Sequence, residues 1–182
     1  SDLLFTRNVM KTRYLKDEKL LTSIQMNICD LASEIGRESE LVIYDNRMQT
    51  SNEYKKEYLE RLIKIEELIF VKDNDFGYHA VPTIFNNIEL AKLEIKTANK
   101  ENIVISCLNN AINAAKYIVD FKPHNIQSPF MNNIECTNIC GYSSVLGNLK
   151  NNILKELNKD DFNQYTNYEE YLMLLNIVNK IK

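Results

Sequence analysis

The chain has 182 residues and a formal net charge of −3, and 45% of its residues are apolar while 26% are charged. Apolar content this high excludes a disordered chain. It has only four Gly and three Pro, which excludes collagen-like and low-complexity chains. An all-β sandwich is also disfavoured, because such folds need a turn about every 8–12 residues. The shortage of turn formers therefore indicates few turns and long helices.

We predict an all-α fold, in which about six amphipathic helices form an antiparallel bundle with a long N-terminal helix. A chain of 182 residues fits one domain with one hydrophobic core, so we assign residues 1–182 to a single helical domain. The chain begins at Ser1 and not at Met. This start indicates an excised fragment or a processed form, to which flanking membrane spans or further domains could belong.

The first predicted helix covers residues 3–35. Apolar or aromatic side chains recur there at a heptad-like spacing of about 3.5 residues, which is typical of a helix that packs along one stripe. The helix could continue past Gly36 through residues 41–44, or those residues could form a short extended segment. A homodimer through this helix is one way to cover the stripe. Its members are Leu3, Met10, Tyr14, Leu21, Ile24, Ile28, Leu31 and Ile35.

The second predicted helix covers residues 52–71, with Ser51 and Asn52 at its N-cap and Glu53 in its first turn. A polar loop follows over residues 72–79. The apolar stripe of the helix consists of Tyr58, Leu62, Ile65 and Ile69.

The third predicted helix covers residues 82–97, with Pro82 in its first turn. Asn99 is predicted to cap a fourth helix, and a connection of two or three residues makes the two helices antiparallel neighbours. Their stripes are Ile84, Ile88, Ala91, Ile95 and Ala98 in the third helix, and Val104, Leu108, Ala111, Ala115 and Ile118 in the fourth.

Residues 88–116 resemble one degenerate tetratricopeptide unit, a pair of antiparallel helices. The resemblance rests on the spacing of small and apolar residues along the third and fourth helices. The Gly and aromatic landmarks of that family are absent, and a period of about 34 residues does not recur. The sequence therefore identifies no family.

Residues 122–141 interrupt the helical pattern with Pro123, Pro129 and Gly141. Long irregular segments in compact domains are often functional. A fifth helix is predicted to run to Leu157, followed by a polar loop over residues 158–166. Thr166 and Glu169 match a capping box at the start of a sixth helix. The apolar faces consist of Tyr142, Leu146, Leu149, Ile153 and Leu157 in the fifth helix, and Tyr168, Tyr171, Leu172, Leu175, Val178 and Ile181 in the sixth.

Gly and Pro are concentrated in two places, residues 77–82 and residues 123–147. These segments hold most of the conformational freedom of the chain. We therefore expect any functional site to lie in them.

The four cysteines suggest a reducing compartment, because they are too few for a disulfide scaffold. Cys29 and Cys107 lie on apolar helical stripes and are predicted to be core thiols. We accordingly expect a cytoplasmic protein. Cys136 and Cys140 are four residues apart, so a disulfide in an exported protein is the alternative, with an extracytoplasmic location.

No metal site, cofactor site or catalytic residue is predicted. His79 and His124 are the only histidines and both fall in loops, and with Cys136 and Cys140 they match no zinc spacing. No phosphate-binding glycine loop or nucleophile turn is present. Clustered carboxylates could in principle hold Mg²⁺, but we interpret them as solvated helix faces. They are Glu34, Glu38, Glu40, Glu66 and Glu67.

The mildly acidic charge makes a nucleic-acid partner unlikely, since such proteins usually carry a basic face. One local group of cations is interpreted as the solvated side of a helix, with contact to an acidic surface or lipid head groups as the alternative. No apolar run is long enough for a membrane span within the chain. The cations are Arg7, Lys11, Arg13, Lys16 and Lys19.

The leading functional hypothesis is a non-enzymatic helical module for interaction or signalling, which binds a protein or peptide between its helices, with a small ligand as another occupant. One alternative is the extracytoplasmic ligand-sensing bundle of a membrane receptor. The other is an enzyme with an unrecognised site. The case for the first rests on a good core without a catalytic set, and it leaves the identity of any partner open.

Overall fold

The computed structural model describes Leu31, Glu34 and residues 50–181 except 129, 132, 133, 140–142 and 159, with the backbone alone for 143–147. Leu31 and Glu34 are helical and exposed. The rest of the predicted first helix lies outside the described residues, as do the group of N-terminal cations, Cys29 and Cys140.

The described chain is a helical bundle, which confirms the all-α prediction. Its α-helices are α1 (Asn52–Phe70), α2 (Ala80–Thr97), α3 (Glu101–Val119), α4 (Ser143–Leu157) and α5 (Glu169–Val178). Two short 3-10 helices, Gly77–His79 and Asp160–Tyr165, connect them. The segment predicted to be irregular contains a small antiparallel ladder, in which β1 (His124–Asn125) pairs with β2 (Glu135–Cys136).

The main core surrounds α2 and α3, which pack against each other more extensively than any other described pair of helices. Only residues 98–100 separate these helices, so they run antiparallel, as predicted. α1 packs on α2, and α5 packs on α3. Burial of each large apolar side chain stabilises the fold by about 1.5–3 kcal/mol. Fully buried examples are Ile84, Ile88, Leu108, Ile112, Leu149 and Leu174.

The start of α1 is confirmed, but its buried face differs from the predicted stripe. Ser51 is the N-cap, and its hydroxyl accepts a hydrogen bond from the Tyr54 N–H at 3.2 Å. Leu62 is buried as expected, but Ile65 is 39% exposed and Leu59 is fully buried. The core therefore meets α1 along a face that is rotated from the predicted stripe.

The predicted cap at Asn99 is wrong. The N-cap of α3 is Lys100, without a side-chain capping bond. Asn99 instead closes α2: its φ of 47° is left-handed, and its N–H donates to the Glu94 carbonyl oxygen at 2.7 Å. The Oδ1 of Asn99 accepts a hydrogen bond from the Tyr165 hydroxyl at 2.9 Å. Asn is favoured both at N-caps and in left-handed positions after helices, and here the second role prevails.

The predicted capping box at Thr166 and Glu169 is also wrong. α5 begins at Glu169, its N-cap is Tyr168, and no side chain caps it. The Thr166 hydroxyl donates to the Asn163 carbonyl oxygen at 3.0 Å, within the turn that leaves the second 3-10 helix.

A second, smaller core fixes the irregular segment to the C-terminal end of α1. The Ser128 hydroxyl donates to the carbonyl oxygen of Ile69, and the Tyr78 hydroxyl donates to the carbonyl oxygen of Glu135 at 3.0 Å. The apolar members of this core are Ile69, Phe70, Ile126, Met131, Ile134 and Cys136. Among the described helices, none is both long and apolar enough to cross a bilayer.

Candidate functional site

The two segments rich in Gly and Pro meet in the fold. The turn before the first 3-10 helix contacts residues 124–127, and Gly77 lies directly against Ile126. Gly77 has a φ of 48°, and a Cβ there would lie 3.0 Å from Ile126 Cδ1. Both the backbone angle and the close approach therefore favour glycine at this position.

A tight turn presents the carboxylate of Asp75 to the irregular segment. Asp73 and Asn74 have φ values of 53° and 64°, and Lys72 and Asp75 exchange backbone hydrogen bonds of 3.1 and 2.8 Å. Two central residues with positive φ are typical of a type I′ hairpin turn, for which Asp and Asn are suited. The turn points the Asp75 side chain toward the segment that contains His124.

Asp75 is buried, and both of its carboxylate oxygens accept hydrogen bonds. Its Oδ2 accepts the Gln127 N–H at 2.7 Å, and its Oδ1 accepts the Gly77 N–H at 3.0 Å and lies 2.9 Å from His124 Nε2. Burial alone would raise the pKa of Asp75, but these hydrogen bonds outweigh it and lower the pKa. The carboxylate therefore stays ionised in the folded chain.

His124 faces an oxygen acceptor at each ring nitrogen. Nε2 contacts Asp75, and Nδ1 lies 2.8 Å from the Lys122 carbonyl oxygen. Both contacts are hydrogen bonds only when both nitrogens carry a proton, so the geometry selects the imidazolium ion. Burial alone would lower the pKa of His124, but the bonds to Asp75 and Lys122 outweigh it and raise the pKa.

Tyr117 and Cys136 complete a polar cluster with Asp75 and His124, which we call the His124 cluster. The Tyr117 hydroxyl lies 3.4 Å from His124 Nε2 and 4.0 Å from Cys136 Sγ. Cys136 stands opposite His124 in the ladder and is fully buried. Burial raises the pKa of Tyr117, helped by the neighbouring Cys136 and Asp75, so the phenol stays neutral.

The His124 cluster contains a thiol, an imidazole and a carboxylate, the groups used by cysteine nucleophiles. Its geometry does not suit that chemistry. The nitrogens of His124 are directed to Asp75 and to a main-chain carbonyl, and the Cys136 thiol donates to the Asn138 carbonyl oxygen at 3.4 Å. Cys136 is also closed to solvent. The cluster therefore joins segments of the fold and is not arranged for nucleophilic attack.

The other histidine lies apart from this cluster. His79 is buried in the first 3-10 helix, stacks on Phe70 with ring centroids 4.6 Å apart, and has Nε2 3.1 Å from Glu66 Oε2. Glu66 also accepts a hydrogen bond from the Asn86 amide at 2.8 Å. Glu66 therefore has a structural role, while Glu67 is exposed. Within the described parts of the chain, no three His, Cys, Asp or Glu side chains converge as metal ligands would.

One described cysteine, Cys107, is a free thiol. Cys107 is buried on α3, which confirms the prediction of a core thiol. Burial raises its pKa to about 12, with a further contribution from the carboxylates of Glu94 and Glu60.

A groove of about 530 Å³ runs between α2 and α4. Its floor is apolar and its walls are charged. We call it the α2–α4 groove; it is lined by Phe85, Ile88, Glu89, Lys92, Lys96, Asn152, Lys155, Glu156 and Asp161. The irregular segment does not line this groove in the described structure, contrary to our expectation that a site would lie there.

Lys92 crosses the groove and is only 5% exposed. Its Nζ lies 2.8 Å from Glu156 Oε2 on α4 and also contacts Glu89 on its own helix. Burial alone would lower the pKa of Lys92, but the two carboxylates outweigh it and raise the pKa. The ammonium is therefore charged and holds the two walls together. Nearer the surface, Lys96 pairs with Asp161 at 3.0 Å.

Comparisons with known proteins add no assignment: no family model, curated protein or solved structure matches the chain. Sequence reasoning singled out His124 and Cys136 as candidate zinc ligands, but it missed Asp75, and it missed the α2–α4 groove. For Lys92 a signal was present, since a charged residue next to Ala91 and four positions after Ile88 falls on the buried side of α2.

Proposed function

We propose that the chain is a non-enzymatic interaction module that holds a peptide segment of a partner protein in the α2–α4 groove. The observation that carries the proposal is the groove itself, an apolar floor between charged walls that the Lys92–Glu156 pair holds at a fixed separation. Binding to a preformed groove costs little conformational entropy of the groove residues, which favours affinity.

The size and the lining of the groove indicate the kind of occupant. Its volume of about 530 Å³ falls in the range of pockets that take small ligands or short segments. Six of its nine lining residues are charged, namely Glu89, Lys92, Lys96, Lys155, Glu156 and Asp161. Such walls suit a polar peptide better than an apolar small molecule, because buried charges require partners.

The free charge in the groove indicates the chemistry of that peptide. Lys92 and Lys96 are paired with carboxylates, whereas the exposed ammonium of Lys155 has no ion-pair partner within the described structure. Phe85 and Ile88 form the apolar part of the same lining. The expected peptide therefore carries an apolar side chain over Phe85 and an Asp or Glu that reaches Lys155.

We place this module in the cytoplasm. The proposal of a reducing compartment is supported by Cys107, which is a free thiol.

Selection from a random peptide library displayed on phage tests the proposal. Enriched peptides should share an apolar residue next to an acidic one. Lys155→Glu should weaken their binding by about fivefold, the loss expected from one exposed ion pair. Lys116→Glu, at an exposed position on α3 outside the groove, is the matched control and should bind as the parent does. Equal binding by the two variants, or no enrichment, would contradict the proposal.

A further inference from the structure

The hydrogen bonds of His124 depend on its protonation. A neutral imidazole has one N–H, so it can donate to Asp75 at 2.9 Å or to the Lys122 carbonyl oxygen at 2.8 Å, but not to both. In each neutral form, one ring nitrogen presents its lone pair to an oxygen that can only accept. Loss of the proton therefore removes one of the two bonds and leaves an acceptor facing an acceptor.

These bonds are part of the polar attachment between the irregular segment and the turn before Gly77. Asp75 binds the segment at two successive places, through His124 and through the Gln127 N–H at 2.7 Å. Next to them, the Ile126 N–H donates to the Ile134 carbonyl oxygen at 2.9 Å, which closes the ladder. Loss of a hydrogen bond at His124 is therefore expected to lower the hydrogen-exchange protection of the Gln127 and Ile126 amides.

As the pH rises, the other described groups that face His124 do not restore its bonds to Asp75 and to the Lys122 carbonyl oxygen. Asp75 faces it from the turn, Tyr117 from α3 and Cys136 from across the ladder. Tyr117 remains a neutral phenol because burial raises its pKa; its hydroxyl, 3.4 Å from Nε2, can donate to the neutral ring, but it does not restore the bond to Asp75. The Cys136 thiol is fully buried. Glu135, the neighbour of Cys136 in β2, is exposed, and its carbonyl oxygen accepts a hydrogen bond from the Tyr78 hydroxyl.

We propose that the His124–Asp75 pair is a pH-dependent attachment, which holds residues 124–128 and 134–136 on the turn before Gly77 while His124 is protonated and loosens them when it is not. The direction follows from linkage. Because the folded-state pKa of His124 is raised, the stabilisation is fully present below the pKa of the unfolded chain. It is lost as the pH rises through the folded-state value. The segment is therefore secured in mildly acidic conditions and released in alkaline ones.

Hydrogen exchange of the whole chain between pH 6 and 9, corrected for intrinsic rates, tests this inference. Protection of the Ile126 and Gln127 amides should fall by roughly three- to tenfold, the ratio that loss of one hydrogen bond gives. The Val104 amide, which donates to the Lys100 carbonyl oxygen in the α2–α3 hairpin, is the internal control and should not change. Constant protection of Ile126 and Gln127 would overturn the proposal.

Two further measurements assign the effect to His124. His124→Gln, which cannot ionise, should abolish the pH dependence, whereas His79→Gln should retain it. Persistent pH dependence in His124→Gln would overturn the proposal. If that variant does not fold, NMR titration of the His124 ring in the parent chain decides, because a pKa at or below the ordinary histidine value would also overturn it.

Discussion

Lys92 Nζ on α2 lies 2.8 Å from Glu156 Oε2 on α4, and the two residues are 64 positions apart in the chain. α2 also packs against α1 and α3, so this pair ties α4 to the helices that form the main core. It also sets the width of the α2–α4 groove. Packing and the proposed binding function therefore share one ion pair.

Removal of the Lys92 charge should destabilise the fold. Lys92→Met keeps most of the aliphatic stem but leaves Glu89 and Glu156 facing each other, so we expect the free energy of unfolding to fall by about 1.5–3 kcal/mol. Urea unfolding at pH 7 measures this. Lys96→Met is the matched control: its side chain is 44% exposed, and loss of its pair with Asp161 should cost less than about 1 kcal/mol. Equal losses in the two variants would show that burial of Lys92 does not matter.

Gly77→Ala should destabilise the contact between the turn and the irregular segment by about 1–3 kcal/mol, because it places an L side chain at a φ of 48°. The new Cβ would also meet Ile126 Cδ1 at 3.0 Å. Ile126→Val removes that carbon, so a double-mutant cycle separates the two causes. A loss that is unchanged in the Ile126→Val background would attribute the whole effect to the backbone angle.

Glu94 should make a visible contribution to acid unfolding. It is fully buried, pairs with Lys56 and accepts the Lys100 N–H at 3.0 Å. Burial alone would raise its pKa, but these partners outweigh it and lower the pKa. Its stabilisation is therefore present above the unfolded-state pKa of about 4.3 and is lost as the pH falls through the folded-state value.

Urea titrations from pH 7 to pH 3 test this expectation for Glu94. Glu94→Gln should lower stability at pH 7 and flatten its decline on acidification. Glu60→Gln is the control, since Glu60 lies 4.0 Å from the same lysine but its side chain is 37% exposed. If Glu60→Gln flattened the decline as much, burial at Glu94 would not be the cause.

Cys107 should resist thiol reagents in the native state, because burial raises its pKa to about 12 and thiolate is the reactive form. Alkylation with iodoacetamide at pH 8, followed by mass spectrometry of the peptides, should find Cys107 unmodified until urea is added. Rapid native labelling of this residue would mean that α3 opens from the core far more readily than its packing indicates.

Helical periodicity was sufficient to find the elements that build the core, but not their ends or their polar contacts. Ile84 and Ile88 are buried as their spacing predicts, because an apolar stripe faces the core whichever helix packs against it. Asn99 was assigned to the wrong helix end, since one residue type suits both roles. Exposure of Ile65 depends on which neighbour covers α1, and the pattern of one helix does not contain that information.

The candidate sites were only partly accessible from the sequence. The concentration of Gly and Pro located the two segments that meet at Gly77 and Ile126. It could not pair Asp75 with His124, because these residues are 49 positions apart and no periodicity links them. The groove was missed for a similar reason, since its walls come from helices separated by α3 and the irregular segment.

The short connection between α2 and α3 also has a consequence for the order of folding. Helices joined by residues 98–100 close a small loop, and their pairing loses little chain entropy. The contact between Asp75 and His124 spans 49 positions and needs that hairpin as its support. During synthesis, the hairpin is complete in sequence at Val119, before His124 leaves the ribosome. The central hairpin can therefore act as an early nucleus, and attachment of the irregular segment becomes a late step.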